Sequence, residues 1–291
     1  MTEFAATTHP GLKRNHNEDC FEADPELGLW LVADGVGGHS FGEVASALVK
    51  TTVAKTYATG ESLSESVRKA HLAVVEELGD RKEALGMGST VVALAIKGQD
   101  YEIAWVGDSR AYLWDGENIQ QLTRDHTHVS DLVDGGVISK TEAASHPERH
   151  VLTQSIGIFA DMELKPGLIS GKISPGQQFL LCSDGLTDEL TDPAIAGQLR
   201  RNTTPQTQVD SLLNSALAAG GKDNVTVVVV GKASDSNPHP THTPGLDLET
   251  TQNISHAVRS TPPARVNHSR KFWLTLAALV VAAAIGWLLI N

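Results

Sequence analysis

The chain has 291 residues, 41% hydrophobic and 20% charged, enough apolar material for one large globular domain or two small ones. Its net charge of −12 argues against nucleic acid and against an anionic membrane surface as bulk partners. Cys20 and Cys182 have no CxxC spacing, which argues against a disulfide framework and a structural zinc cluster and fits a reducing compartment.

The opening stretch, MTEFAATTHPGLKRN, has no apolar h-region, so no cleaved signal peptide is expected. KRNHNEDC (13–20) then sets two acids just after an arginine, and LWLVADGVGG (29–38) reads as a buried strand that ends on an acid. Residues 43–58 and 63–78 carry apolar side chains at helical spacing. STVVALAIKG, YEIAWVGD and RAYLWDGENIQQLT read as strands, with WDGEN as a hairpin turn. DLVDGGVIS (131–139) and TEAASH (141–146) predict short helices around a flexible glycine pair. QFLLCSD is a further strand, residues 209–221 a helix ending on glycine, and DNVTVVVVG a last strand of β-branched residues. Hairpin-linked strands with helices between them predict an α+β domain over residues 1–233.

Beyond that domain the composition changes. Residues 234–271 are rich in Ser, Thr, Pro, Asn and His and read as a disordered linker; its His-rich part is read as a solvated spacer. Residues 272–290, FWLTLAALVVAAAIGWLLI, are 19 in a row without a charge, roughly 28 Å of helix against a hydrocarbon core of about 30 Å. Trp273 and Trp287 sit near the two ends, and Arg265, Arg270 and Lys271 precede the run. A single transmembrane helix with residues 1–271 in the cytoplasm is therefore expected. Ala278, Ala282 and Gly286 form a small-xxx-small stripe through which two such helices would pair weakly.

Four strand-like runs each meet an acid beside Gly, Ser or Asn: Asp34 in VADGVGG, Asp108 in VGDSR, Asp184 in LLCSDGLTD and Asp223 in GGKDNV. Glu18, Asp19 and Asp188 lie in the same stretches, and Arg14, Arg110 and Lys222 are the nearby cations. For any one Asp-Gly pair an ordinary turn is explanation enough. The repetition needs a shared cause. Carboxylates gathered at one edge of a core repel one another, and burying them ionised is costly. A divalent cation offsets that cost, and all-oxygen ligands suit Mg²⁺ or Mn²⁺.

The ordered series RNHNED, VADGVGG, GMGST, VGDSR, LTRDHT, LTQSIG, LLCSDGLTD and GGKDNVTVVVV, spanning residues 6–232, resembles the metal-dependent serine/threonine protein phosphatases of the PPM or type 2C family, bacterial type. The resemblance implies an α-β-β-α fold, a central β-sandwich of two antiparallel sheets flanked by helix pairs, with a metal centre at one end. It implies two core Mn²⁺ or Mg²⁺ ions and a weaker third. Asp34 would bridge the core pair. Asp184 and Asp223 would complete one shell, and Glu18 with the Gly35 backbone carbonyl the other. Asp108 and Asp184, joined by Asp188, would hold the third ion, with Asp19 acting from nearby. Arg14 would take the substrate phosphate, Asn224 would fix the turn that aims Asp223, and Gly88, Ser89 and Thr90 would serve packing.

The implied reaction is hydrolysis of phosphoserine and phosphothreonine in proteins by a metal-bridged hydroxide, opposing a bacterial Ser/Thr kinase at the membrane. It needs no nucleophilic cysteine, so Cys20 and Cys182 are read as small hydrophobes. Many eukaryotic members carry His directly after the bridging Asp-Gly. Val36 stands there in this chain, so the leaving group's proton is expected from a third-metal water or from His39. The resemblance also implies a flap over about 127–150; His126, just before it, is read as a loop-holding residue, and His16, His128, His146 and His150 as surface residues without a motif. A two-metal phosphodiesterase and a pseudophosphatase adaptor are the competing readings. The charge disfavours the first, and the complete set of acids disfavours the second.

Overall fold

A computed structural model describes residues 2–37, 41–78, 86–158, 163–202 and 204–231. The chain divides into two units, 1–239 and 240–291, and all described residues lie in the first. The expected linker at 234–271 and the expected membrane helix at 272–290 lie outside the described residues, as does His39. No helix among the described residues is long and apolar enough to cross a membrane.

Eleven strands and seven helices alternate along the described residues. They are β1 (Phe4–His9), β2 (Asp19–Asp24), β3 (Leu29–Val36), α1 (Phe41–Ala58), α2 (Leu63–Leu78), β4 (Gly88–Ser89), β5 (Val91–Lys97), β6 (Asp100–Val106), β7 (Arg110–Trp114) and β8 (Ile119–Gln121). There follow α3 (His128–Asp134), α4 (Lys140–Ala144), β9 (Gly167–Lys172), β10 (Gln178–Cys182), α5 (Asp184–Thr187), α6 (Asp192–Arg201), α7 (Pro205–Ala219) and β11 (Val225–Val230). One sheet runs β1-β11-β10-β7-β8 and the other β2-β3-β5-β6-β9, with β4 added to β3. The pairings are antiparallel throughout.

The apolar runs are continuous because the central strands are covered on both faces. Along β3, Trp30 and Val32 face the other sheet, where they meet Phe179, Leu181, Val228 and Val230. Leu29, Leu31 and Ala33 point the opposite way, onto Val49, Val53, Val67 and Val74 of α1 and α2. In β11 the same alternation sends Val225, Val227 and Val229 toward Ile195, Leu199, Val209 and Leu212 of α6 and α7. The α-β-β-α sandwich follows from these three apolar layers.

The expected elements appear close to where the periodicity places them, and β1, β2, β9 and α5 join them without having been marked by it. The last helix begins at Pro205 rather than 209, because Thr204 caps it by accepting from the Thr207 amide and Pro205 occupies its first turn. The helix Asp192–Arg201 has no counterpart in the sequence reading. Its Thr-Asp-Pro start resembles a turn, yet Thr191 is the N-cap and Pro193 lies in the first turn. The expected flap folds as α3 and α4, split at Gly135-Gly136, with Ser139 forming a capping box with Glu142.

Candidate metal centre

Strand parity places the first acids. Residues 30, 32 and 34 share one face of β3, so Asp34 lies on the sandwich-facing side one step beyond Val32. Asp19 pairs directly with Asp34 across β2 and β3. It shares its parity with Phe21 and Ala23, which pack against the same inter-sheet core. Ser183 follows Leu181 in register and donates from Oγ to Asp19 Oδ2 at 2.7 Å. The other oxygen, Asp19 Oδ1, is buried without a hydrogen-bond partner among the described residues.

The backbone around Asp34 is held from several sides. The Thr90 amide donates to the Asp34 carbonyl at 2.8 Å, and Ser89 Oγ donates to the same carbonyl at 3.0 Å. The Asp34 amide donates to Thr90 Oγ1 at 3.2 Å, and Thr90 Oγ1 lies 2.7 Å from Ser109 Oγ, beside Asp108. GMGST therefore supports the acids through their backbone. Gly35 is required by close approach: a Cβ there would fall 2.1 Å from the Gly42 carbonyl oxygen and 2.7 Å from that of Glu18. Ser46 Oγ of α1 also donates to the Glu18 carbonyl, at 2.6 Å.

Asn224 joins the two ends of the domain. Its Oδ1 accepts from the Glu18 amide at 2.8 Å, and its Nδ2 donates to the carbonyls of Pro10 and His16 at 3.0 and 2.9 Å. It thus ties the loop of Arg14 and Glu18 to the turn of Asp223, a wider role than aiming one carboxylate. Asn224→Ala is expected to cost about 3 kcal/mol, three bonds at about 1 kcal/mol each. Mn²⁺ affinity is expected to weaken by about 10–100-fold; urea unfolding and metal titration measure the two effects. Gly185, next to Asp184, packs on the same turn, where a Cβ would fall 1.9 Å from the Asn224 carbonyl oxygen. Gly185→Ala is expected to destabilise by about 1–3 kcal/mol by overpacking, seen as a lower urea midpoint.

Arg14 approaches from the solvent side. It is 54% exposed and donates from Nη2 to Asp223 Oδ2 at 2.7 Å. Arg110 is committed elsewhere, to both oxygens of Asp125. Lys222 faces Glu189 at 3.6 Å instead of the acids.

The electrostatics record the convergence. Burial raises the Asp34 carboxyl well above the usual carboxylate range, and Asp19, Asp184, Asp108 and Asp223 add to the effect. Burial does the same to Asp108, with Asp184 and Asp125 contributing. Asp19 is pushed up to about 7 by burial, opposed by its hydroxyl partners. Asp184 is pushed up to about 6 by burial, then by Asp188 and Asp223, against the opposing influence of His150. Glu18 is raised chiefly by burial and relieved by Arg14. Crowded, partly buried oxygens, one of them an orphan, fit a hard divalent cation.

One trio among the described residues brings a ligand atom from each member within 4.8 Å of the others: Asp108, His150 and Asp184. The sequence reads His150 as a surface residue without a motif, and the structure sets it beside two of the acids. Its Nδ1 lies 3.8 Å from Asp184 Oδ2, and its Nε2 lies 3.4 Å from Asp188 Oδ2. No local pattern marks it, because the flap's return path brings it there. His126 is a loop holder, accepting from the Gly107 amide at Nδ1 (3.2 Å) and stacking on Trp105. The cysteines form no disulfide; burial pushes the Cys20 thiol up to about 11 and the Cys182 thiol up to about 12, far from a reactive thiolate.

Comparison with known proteins agrees with this geometry. The family model described as Protein phosphatase 2C matches residues 1–132. The serine/threonine protein phosphatase PstP of Mycobacterium tuberculosis is 36% identical over 235 residues, 79% of this chain and 45% of the relative, so the chain spans about half of that protein's length. The serine/threonine phosphatase stp of Listeria innocua is 33% identical over 236 residues, 77% of this chain and 93% of the relative. A solved structure of the catalytic domain of PstP in complex with two manganese ions has a TM-score of 0.71 at 33% identity, covering 80% of this chain and 99% of that one.

Proposed function

The chain belongs to the protein phosphatase 2C family of serine/threonine phosphatases, and from that membership we propose that it hydrolyses phosphoserine and phosphothreonine in proteins. The observation that carries the reading is the convergence of Asp19, Asp34, Asp108, Asp184 and Asp223 at one end of the sandwich. Asp34, Asp184, Asp223, Glu18 and the Gly35 carbonyl would hold two core ions, Mn²⁺ or Mg²⁺, and Asp108, Asp184 and Asp188 a third. When bound, the ions supply a nucleophilic hydroxide at neutral pH and neutralise the phosphoryl oxygens.

The chain's own groups do the rest. Arg14 is exposed enough to turn its guanidinium to an incoming phosphate, where a forked contact fixes the phosphorus in line. Asp19, bonded to Ser183, adds charge behind Asp34 and holds β2 in register. Ser89, Thr90 and Ser109 keep Asp34 and Asp108 from spreading under mutual repulsion.

Phosphate release from a phosphothreonine peptide by the full chain, with Mn²⁺ and with EDTA, tests the reading. Metal-dependent turnover of the peptide, exceeding that of bis(p-nitrophenyl) phosphate, supports it. A folded, metal-loaded chain without turnover would make it an adaptor, and preference for the diester would make it a phosphodiesterase.

The proposal extends to location. The uncharged run at 272–290, preceded by Arg270 and Lys271, supports a membrane anchor with the catalytic unit in the cytoplasm and weak helix pairing. A reaction that removes phosphate from serine and threonine needs a protein kinase to place it there, and anchoring would raise the local concentration of both at the membrane. Recovery of the full chain in the soluble fraction of cells would sink the anchor.

A further inference from the structure

We propose that His150 is a protein ligand of the third divalent-ion position, together with Asp108 and Asp184, so that the flap itself closes that metal's shell. The inference rests on the phosphatase reading above and adds a nitrogen donor to a centre otherwise built of oxygens.

The flap's return path places the imidazole. The His126 amide donates to the Gly107 carbonyl at 2.9 Å, one residue before Asp108. Thr153 donates to the His126 carbonyl and His128 to the Val151 carbonyl, both at 2.8 Å, and Thr127 bridges Leu152. The turn that carries Asp108 and the segment that carries His150 are thus bolted together. Between these anchors the chain makes its excursion through α3 and α4, and Arg124 braces α3 by pairing with Asp131 and Asp134.

The spacing is that of ligands around an ion rather than of direct partners. Nδ1 stands 3.8 Å from Asp184 Oδ2 and Nε2 stands 3.4 Å from Asp188 Oδ2, both beyond an ordinary N–H···O bond of about 2.7–3.2 Å. In an octahedral shell with bonds of about 2.1 Å, adjacent ligands lie about 3.0 Å apart and opposite ones about 4.2 Å. The mutual distances in the Asp108–His150–Asp184 trio stay within 4.8 Å. At 43% exposure the imidazole is reachable from solvent.

Two consequences follow from the chemistry of the donor. Imidazole suits transition ions better than Mg²⁺, so this position prefers Mn²⁺ to Mg²⁺ more strongly than the all-oxygen pair does. A ligand carried by the flap also links ion occupancy to flap position, and the linkage is reciprocal.

The experiment uses the full chain, stripped with EDTA and reloaded stepwise with Mn²⁺, beside His150→Ala and His150→Asp. Calorimetry counts the binding classes, and nitrogen modulation of the Mn²⁺ electron spin echo reports a bound imidazole. In the wild type, nitrogen modulation is expected to appear with the weakest class. His150→Ala is expected to remove it and weaken that class by about tenfold or more, at least the scale at which outer-shell groups act, while the tighter classes stay as they were. His150→Asp is expected to restore affinity without the nitrogen signal and with a reduced preference for Mn²⁺ over Mg²⁺. A modulation that is absent from the wild type, or that survives in His150→Ala, overturns the proposal. Absence of tight Mn²⁺ classes from the wild type would instead count against the phosphatase reading.

Discussion

Asp34→Asn is expected to lower kcat/KM on a phosphothreonine peptide by about 1,000-fold or more, equivalent to about 4 kcal/mol of transition-state stabilisation, while leaving the fold intact. Asparagine keeps the shape of the side chain and removes its charge. The backbone contacts that hold this position, to Thr90 and Ser89, are not touched by the substitution. What disappears is an anionic oxygen at the point where Asp19, Asp184, Asp108 and Asp223 all act on the same group. Removing one charge from a crowd of like charges relieves repulsion. The metal-free variant is therefore expected to unfold at a higher urea concentration than metal-free wild type at pH 8. Loss of activity with gain of stability marks a residue kept for metal binding. If both fall together, Asp34 is part of the packing and its catalytic assignment fails.

The parts legible in the sequence are those that local patterns encode. β3 and β11 declare themselves as continuous apolar runs because both faces of each strand are covered. The acid at the end of β3 is visible for the same reason: the alternation that buries Trp30 and Val32 carries Asp34 to the core's edge. The helices at 41–58 and 63–78 show plain apolar spacing. The parts not legible depend on chain segments that meet only after folding. Ser183 reaches Asp19 across 164 positions, and Arg14 reaches Asp223 across 209. Asn224 binds three groups more than 200 residues away. His150 sits in a stretch without periodicity or motif, and only the pinning of the flap's return to Gly107 and His126 brings it over Asp184. Thr90 reads locally as a strand residue and holds Asp34 from its neighbour strand.

Removing the metal is expected to abolish turnover and to reverse how stability responds to pH. In the stripped chain, Asp19 is pushed up to about 7 and Asp184 to about 6, with Asp34 and Asp108 also raised, by burial first and mutual repulsion second. The folded state then holds protons that the unfolded chain, with carboxyls near 4, has released. Stability falls with pH wherever the folded state binds more protons. This contribution is full below the unfolded value and is lost as pH rises through about 6 to 7. EDTA-treated protein is therefore expected to melt several degrees lower at pH 8 than at pH 5.5, about 2–4 °C for each kcal/mol in a domain of this size. Mn²⁺ competes with those protons for the same oxygens, so its binding strengthens as pH rises. With saturating Mn²⁺ the melting temperature is expected to rise over the same interval. The test is the sign of the slope, read by thermal melts with and without metal. A falling Tm that Mn²⁺ fails to reverse would mean that the acids are destabilised by burial without being a metal site. A stripped chain that gains stability with pH would mean that they are not gathered as the structure places them.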